Sequence, residues 1–383
     1  MGIFRRGIRL KSLFIKPTFA CSANCLHCRH RRELYRRNMG EEKLSLDHFR
    51  QLFGEAIKLG VDSLHISGGE PTLYPNLIEL IREGKRCGWF VVLNSNGSEI
   101  DSKIASDLVK EGLDAVILSV HSANPEIHDS MRRRKGMREK IIGSIKLMSE
   151  AKRRINPNFI LMTQSIITRQ NYFDLHNTLD FVCRLNVDAH AFSYLEGDFE
   201  GKQLLSEDEI LDFKWNIVPK MLERLEKFPF KNFILKYAAM KRISKFFNEK
   251  KVSLKDYVRG IYQDEKAAER CKTPRVFLMV LPNGDVHPCN MVEYVHEPVM
   301  GNIMEESLTS IWRGDKFNEF RLNRFGWCRF CPTHLHFHIP LGISVKQILR
   351  LAFRNPAPEQ RSIREQIAYT FGRVTGDKGK NET

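Results

Sequence analysis

Between residues 11 and 195 the chain switches repeatedly from the twofold hydrophobic alternation of a strand to the 3.6-residue repeat of a helix. The β-rich runs are SLFIKPT, DSLHIS, FVVLNSNG, DAVILSV, FILMTQSII and DAHAFSYL. Helical patterns lie between them: LSLDHFRQLFGEAIKLG, LIELIREGKRCG, SKIASDLVKEG, REKIIGSIKLMSEAKR and NYFDLHNTLDFVCRL. The first helix carries its own punctuation, with Ser45 as N-cap and Gly60 as C-cap. Repeated βα units with short connections imply a parallel sheet with right-handed crossovers. Six units fall short of the eight that close a full barrel. The expected fold is therefore α/β, a partial (β/α)6 barrel.

In such folds the site lies beyond the C-terminal ends of the strands. The unusual residues sit there. A cysteine segment follows strand one, Gly68-Gly69-Glu70 follows strand two, Asn94 to Gly97 follows strand three, and Ser119 to Ser122 follows strand four. Four polar or metal-binding elements thus converge on one rim.

The cysteine segment, ACSANCLHC, places Cys21, Cys25 and Cys28 at C-x3-C-x2-C spacing. Three thiolates this close can hold a metal or an iron–sulfur cluster. Structural zinc wants four ligands, and His27 or His30 could supply the fourth. A [4Fe–4S] cluster accounts for three ligands differently: three irons take cysteines and the fourth stays open for a substrate or cofactor. Four more cysteines follow in the last third, Cys271, Cys289, Cys328 and Cys331, spaced C-x17-C-x38-C-x2-C. They fit a fully ligated [4Fe–4S] cluster or structural zinc. Cys87 and Cys183 fall in helical patterns and read as structural thiols.

The 383 residues are 42% hydrophobic and 28% charged, an ordinary soluble composition. The net charge of +15 favours acidic partners such as nucleic acid, phosphorylated substrates or a membrane surface. The charges are dispersed, so solvated lysines and arginines are the favoured reading, and peripheral membrane or nucleic-acid contact is not. No run of about 18 apolar residues exists to span a bilayer. The basic N-terminus lacks the apolar core of a secretory signal, and Arg6 breaks the myristoylation pattern. A cytoplasmic location is expected. Thiols stay reduced there, which favours ligands over disulfides.

Residues 206–268 read as basic helices with interleaved aromatics, covering the barrel rather than docking an anionic substrate, a lipid surface or RNA. PRVFLMVLPNGDVHPCN reads as a β-hairpin, SLTSIWRGDKFNEFRLNR as one or two helices, and ISVKQILRLAF as amphipathic. The expected units are the barrel at 11–200, linking helices at 201–268, a small α+β cluster-binding domain at 269–335, and a helical extension with a frayed tail at 336–383.

The cysteine loop, with the ring of His27 before its last cysteine, resembles the signature of the radical S-adenosylmethionine (radical SAM) superfamily. HISGGEPTLYP resembles that family's Gly-Gly-Glu motif. The resemblance implies that SAM chelates the open iron and is cleaved reductively to methionine and a 5′-deoxyadenosyl radical, which removes a hydrogen atom from a substrate. It implies Cys21, Cys25 and Cys28 as cluster ligands, and Gly68, Gly69 and Glu70 around SAM's ammonium group. Asn96, in LNSNGS, would lie near SAM, and Ser119 would contact the ribose. His121 stands where many relatives have Asp, and is expected either to face the substrate or to lie on the surface. Asn171 is expected to cap the next helix.

The C-terminal text resembles the auxiliary-cluster region of the SPASM/twitch branch. The matching residues are Gly284 and Val286 before Pro288-Cys289, then Gly301-Asn302-Ile303 and Ile311-Trp312. Four cysteines imply the smaller, twitch-like version with one auxiliary [4Fe–4S] cluster, which relays electrons. An electron donor such as flavodoxin or ferredoxin is implied as a partner. The resemblance covers residues 11–335 and leaves the substrate unidentified. The leading expectation is small-molecule oxidation or a bond-forming step. Synthesis of the molybdopterin precursor is disfavoured, because that class has three C-terminal cluster cysteines and a terminal Gly-Gly. Peptide maturation is the alternative, ranked lower because only about ten residues precede the first strand, too few for a leader-peptide module. The alternative from another class is a non-catalytic iron–sulfur or zinc scaffold or sensor.

Overall fold

The computed structural model describes residues 9–28, 42, 44–195, 202–228, 239–240, 243–244, 246–247, 252–262, 271, 273–290 and 299–323. Strands and helices alternate as the hydrophobic periods dictate: β1 Ser12–Ile15, α1 Leu46–Leu59, β2 Ser63–Ile66, α2 Leu77–Arg86, β3 Phe90–Ser95, α3 Ser102–Lys110 and β4 Ala115–Ser119. Then come α4 Pro125–Arg132, α5 Met137–Ile155, β5 Ile160–Ile167, α6 Leu175–Cys183 and β6 Ala189–Tyr194. Neighbouring strands β1 to β6 all pair in parallel, which gives the expected partial barrel. Helix α1 is bounded as its sequence says. Ser45 Oγ accepts from His48 N, and Gly60, at φ 98°, closes the end by donating to Ala56 O and Ile57 O.

Two features were not anticipated. Helix α4 fills a stretch for which the periodicity gave no element. Its start is chemically explicit: Asn124 Oδ1 accepts from Glu126 N (2.8 Å) and Ile127 N (3.3 Å), and Pro125 takes the first helical position. The second concerns the C-terminal hairpin, β7 Phe277–Val280 and β8 Asp285–His287. It forms as expected, but β7 pairs in parallel with β1, and β8 in turn with β9 Gly301–Asn302. The result is one nine-stranded sheet in the order β6-β5-β4-β3-β2-β1-β7-β8-β9. The hairpin turn needs Gly284, at φ 93°, where a Cβ would fall 2.5 Å from Asn302 Oδ1. Helices α10 Leu308–Arg313 and α11 Asp315–Asn323 follow, and Thr309 N donates to Glu55 Oε2 of α1 at 3.0 Å. The C-terminal unit is thus joined to the barrel through both sheet and helix.

The two faces of the barrel sheet carry separate cores. Leu13, Ile15, Leu64, Ile66, Leu93, Val116, Leu118 and Leu161 pack outward against the helices. Each such side chain contributes about 1.5–3 kcal/mol by leaving water. The inner face has its own cluster of Phe90, Val92, Ala115 and Ile160, with Ile117 and Met162 packed against it.

Of the basic segment, α7 Glu207–Asp212, a π-helical turn Phe213–Ile217, α8 Val218–Lys227 and α9 Leu254–Val258 are described. Phe213, Ile217, Met221 and Leu225 bury themselves against the outer core, as covering helices do. Among the described residues no helix is long and apolar enough to cross a membrane. ISVKQILRLAF and residues 336–383 lie outside the described residues.

Candidate functional site

The loops after β1, β2 and β3 close on one another through backbone contacts that leave no space for side chains. Gly69 N donates to Thr18 O (3.0 Å) and Glu70 N to Ala20 O (2.7 Å). A Cβ on Gly69 would lie 2.1 Å from Ala20 O, and one on Gly68, at φ 138°, 2.7 Å from Thr18 O. The neighbour that both glycines admit is the cysteine loop itself.

Glu70 is fully buried, and its carboxylate is spent on this junction. Oε1 accepts from Thr72 N (3.1 Å), Thr72 Oγ1 (2.6 Å) and Ser95 Oγ (2.7 Å), and Oε2 accepts from Asn96 N (2.7 Å). Four hydrogen bonds offset the cost of burying the group. Asn96 passes the connection on. Its Nδ2 donates to Ser22 Oγ at 3.1 Å and lies 3.9 Å from Cys21 Sγ, while its Oδ1 accepts from Ser98 N. Glu70 and Asn96 therefore fix the cysteine loop.

The other side of the loop is held by α4, which sequence reasoning missed. Asn24 N donates to Arg132 O (3.1 Å), Leu26 N to Met131 O (3.0 Å), and Arg134 Nη1 to Ser22 O. The Arg132 side chain is only 5% exposed. Its Nη1 donates to Cys25 Sγ at 3.2 Å and its Nη2 to Ser119 O at 3.1 Å, while its Nε is buried without a partner. The only signal was the run Arg132-Arg133-Arg134, and nothing local says which arginine turns inward. Cys25 is buried, and Cys21 and Cys28 are half-buried. Burial pushes the Cys21 thiol up, opposed by a hydrogen bond from the Ala23 backbone.

Three imidazoles stack away from the loop. His27 meets His121 edge-on with centroids 4.8 Å apart, and His121 lies 5.7 Å from His128. Burial, assisted by the Arg132 charge, pushes His27 down to about 3. The same two causes hold His121 and His128 well below the usual range. All three are neutral near pH 7. His121 is 1% exposed, which overturns the surface reading: its Nδ1 accepts from Ile166 N, and only its Nε2 is left unpartnered. Asn171 does not cap the next helix either. Its Nδ2 donates to His121 O (2.7 Å) and Ile166 O (2.8 Å), and its Oδ1 accepts from Thr168 N (2.8 Å). It ties the loop after β4 to the loop after β5.

The register sets the layers of the inner face of the barrel sheet. Asn94 pairs with Ile117 and Ile117 with Met162, while Ser119 pairs with Gln164 one layer nearer the rim. The apolar inner cluster lies on this face. Two half-buried amides share it, Asn94 level with Ile117 and Gln164 one layer nearer the rim. Asn94 Oδ1 is buried with no partner, and the Gln164 amide has none among the described residues. Ser119 Oγ only grazes Ser95 O at 3.5 Å. His65 points to the same face beside Phe14, and burial pushes it down to about 4.

Of the second cysteine set, Cys271 and Cys289 are half-buried at the far edge of the sheet, before β7 and after β8. Cys328 and Cys331 lie outside the described residues, as does His30. Among the described residues no three His, Cys, Asp or Glu side chains gather tightly enough to hold one metal ion. Three thiols beside a buried guanidinium, whose Nε has no partner among the described residues, suit a multi-iron cluster that carries net negative charge through its thiolates.

Comparison with known proteins agrees. Residues 15–182 match the model of the radical SAM superfamily, and residues 271–332 match that of SPASM, an iron–sulfur cluster-binding domain. The chain is 24% identical over 298 residues to the AdoMet-dependent heme synthase of Methanosarcina barkeri, covering 77% of this chain and 80% of that protein. It is 25% identical over 316 residues to the PqqA peptide cyclase of Rhizobium meliloti, covering 81% and 76%. The crystal structure of Streptococcus suis SuiB bound to precursor peptide SuiA superposes with a TM-score of 0.59 at 17% identity, covering 82% of this chain and 67% of that one.

Proposed function

This chain is a radical SAM protein with a C-terminal SPASM-type cluster domain, and from that premise we propose that it is an enzyme that modifies a peptide by removing a hydrogen atom from it. The observation that carries the peptide reading is the inner face of the barrel sheet. Apolar side chains there, with amides at Asn94 and Gln164 that lack partners among the described residues, are matched by an apolar side chain flanked by backbone N–H and C=O groups. The comparisons point the same way, towards the alternative that the sequence ranked second: a relative is named a peptide cyclase, and a structural neighbour was solved with a precursor peptide. The heme synthase relative keeps a small-molecule substrate as the second reading.

When bound, a [4Fe–4S] cluster would supply one electron to the sulfonium of SAM, giving methionine and a 5′-deoxyadenosyl radical. Cys21, Cys25 and Cys28 would hold it. Arg132 sets a fixed positive charge against Cys25 and offsets part of the negative charge of the thiolates. Glu70 and Asn96 lock the loop; the backbone of residues 68–70 would meet SAM's ammonium group and Ser119 would contact the ribose. The neutral rings of His27 and His121 pack against each other beside the cysteine loop without adding charge. Cys271, Cys289, Cys328 and Cys331 would hold an auxiliary cluster, which would supply a one-electron acceptor.

The test is anaerobic reconstitution, expected to load about eight irons per chain. Reduction with SAM present should yield 5′-deoxyadenosine. Short peptides encoded beside the gene, made with deuterated side chains, should pass deuterium into that product and change mass themselves. Transfer from a tetrapyrrole or another small metabolite, with none from any peptide, would overturn the peptide reading.

A further inference from the structure

Several cations of the described surface are ion-paired. Arg50 meets Asp47 and Glu83, Arg82 meets Glu111, Lys103 meets Asp107, and Lys227 meets Glu223. Other lysines and arginines are not, and one stretch gathers several of these beside the cysteine loop. The turn between α4 and α5 exposes Arg133, Arg134 and Lys135, and Lys140 follows on the first turns of α5. None of the four has an acidic partner among the described residues; Arg134 spends one nitrogen on Ser22 O. The acids nearest in sequence are already engaged. Asp129 accepts from Gly136 N and Arg138 N, and Glu139 pairs with Arg138 at 3.4 Å.

The position of this stretch gives it meaning. Its backbone begins one residue after Arg132, whose carbonyl holds Asn24 N and whose guanidinium touches Cys25 Sγ. An unpaired cationic edge therefore borders the loop that carries the three cysteines, with a short covalent and hydrogen-bonded route inward from Arg133 through Arg132 to Cys25. Reductive cleavage consumes one electron for each SAM, which an outside donor must deliver and be oxidised by one electron in doing so. We propose that Arg133, Arg134, Lys135 and Lys140 form the docking edge for a small acidic one-electron carrier protein. Charge complementarity at an exposed rim raises the rate of encounter and orients the partner. Three cations on one turn with a fourth on the adjoining helix suit a compact acidic patch better than an extended polyanion or a membrane surface, which reward longer basic stripes.

The test uses the reconstituted full chain and photoreduced flavodoxin as the acidic carrier, with flavin reoxidation followed by anaerobic stopped flow. R133E/K135E reverses the edge. K58E/K110E changes the charge equally at exposed lysines ending α1 and α3, on the opposite rim. At low ionic strength R133E/K135E should lower the second-order rate at least about tenfold, and K58E/K110E less than about twofold. The difference should vanish in high salt. Dithionite should reduce every variant to the same extent, with equal iron, which shows an intact site. Should R133E/K135E bind less iron, R133Q/K135Q carries the same comparison with about a threefold expected fall. Equal rates for the two double variants, or a rate that ignores salt, would overturn the docking edge. A chain that loads no iron at all would overturn the cofactor assignment and the docking edge with it.

Discussion

The two cysteine regions solve opposite problems. At the first, the ligands are local and the surroundings are not: Cys21, Cys25 and Cys28 fall within eight residues, but Glu70, Asn96 and Arg132 hold them from three other loops. At the second, the ligands are remote from one another. Cys271 and Cys289 flank the β7–β8 hairpin in sequence, and Cys328 follows 39 residues after Cys289. A cluster at the first region occupies a site that the barrel already shapes. A cluster at the second would add its binding energy to the folding of the segment around it.

Breaking each region should therefore fail differently. The largest effect is expected from Cys25→Ala, which removes a buried ligand and leaves Arg132 Nη1 without its thiol partner; 5′-deoxyadenosine should fall to the blank. Gly69→Ala comes next. Its Cβ would strike Ala20 O, so the cysteine loop must move, and iron should drop to about half with SAM cleavage down more than about tenfold. Cys289→Ala should also halve the iron, from about eight to about four, but SAM cleavage should persist while turnover of the peptide is lost. Zinc at that site by elemental analysis would sink the electron-relay role.

The smallest effect separates the regions by pH. Burial pushes His190, under the rim of the first region, down to about 3, while Thr163 and Ser165 hydroxyls bond its ring. The unfolded chain takes up that proton near pH 6.5, before the folded one does. Stability from this group is complete above about 6.5 and is lost as pH falls through the window down to about 3. At pH 5 the loss is about 2 kcal/mol. His190→Gln should flatten the fall in urea midpoint between pH 7 and pH 5.

Much of the fold could be read in the sequence because its signals are local. The caps at Ser45 and Gly60, the strand runs and the cysteine spacing each declare themselves within a few residues. The start of α4 was equally local, in Asn124-Pro125, and was passed over because the hydrophobic period there is weak. The remainder depends on distance along the chain. Arg132 lies 107 residues from the thiol it touches, and no local pattern distinguishes it from Arg133. Asn171 sits where a cap would, and only the folded loops show that its amide is already shared with His121 and Ile166. Parallel pairing of β7 with β1 is invisible for the same reason: Phe277 to Val280 are apolar on both faces and state no partner.

That last pairing sets a schedule for synthesis. Strand β1 leaves the ribosome before either of its neighbours, and β2 arrives about 50 residues later. Its second neighbour comes about 260 residues after it. At about 5–20 residues per second, one edge of β1 stays open for roughly 13–50 seconds. In that interval the nascent barrel presents unpaired N–H and C=O groups to any passing strand. A chain that stopped short of β7 would keep that edge open for good, and with it a standing tendency to aggregate.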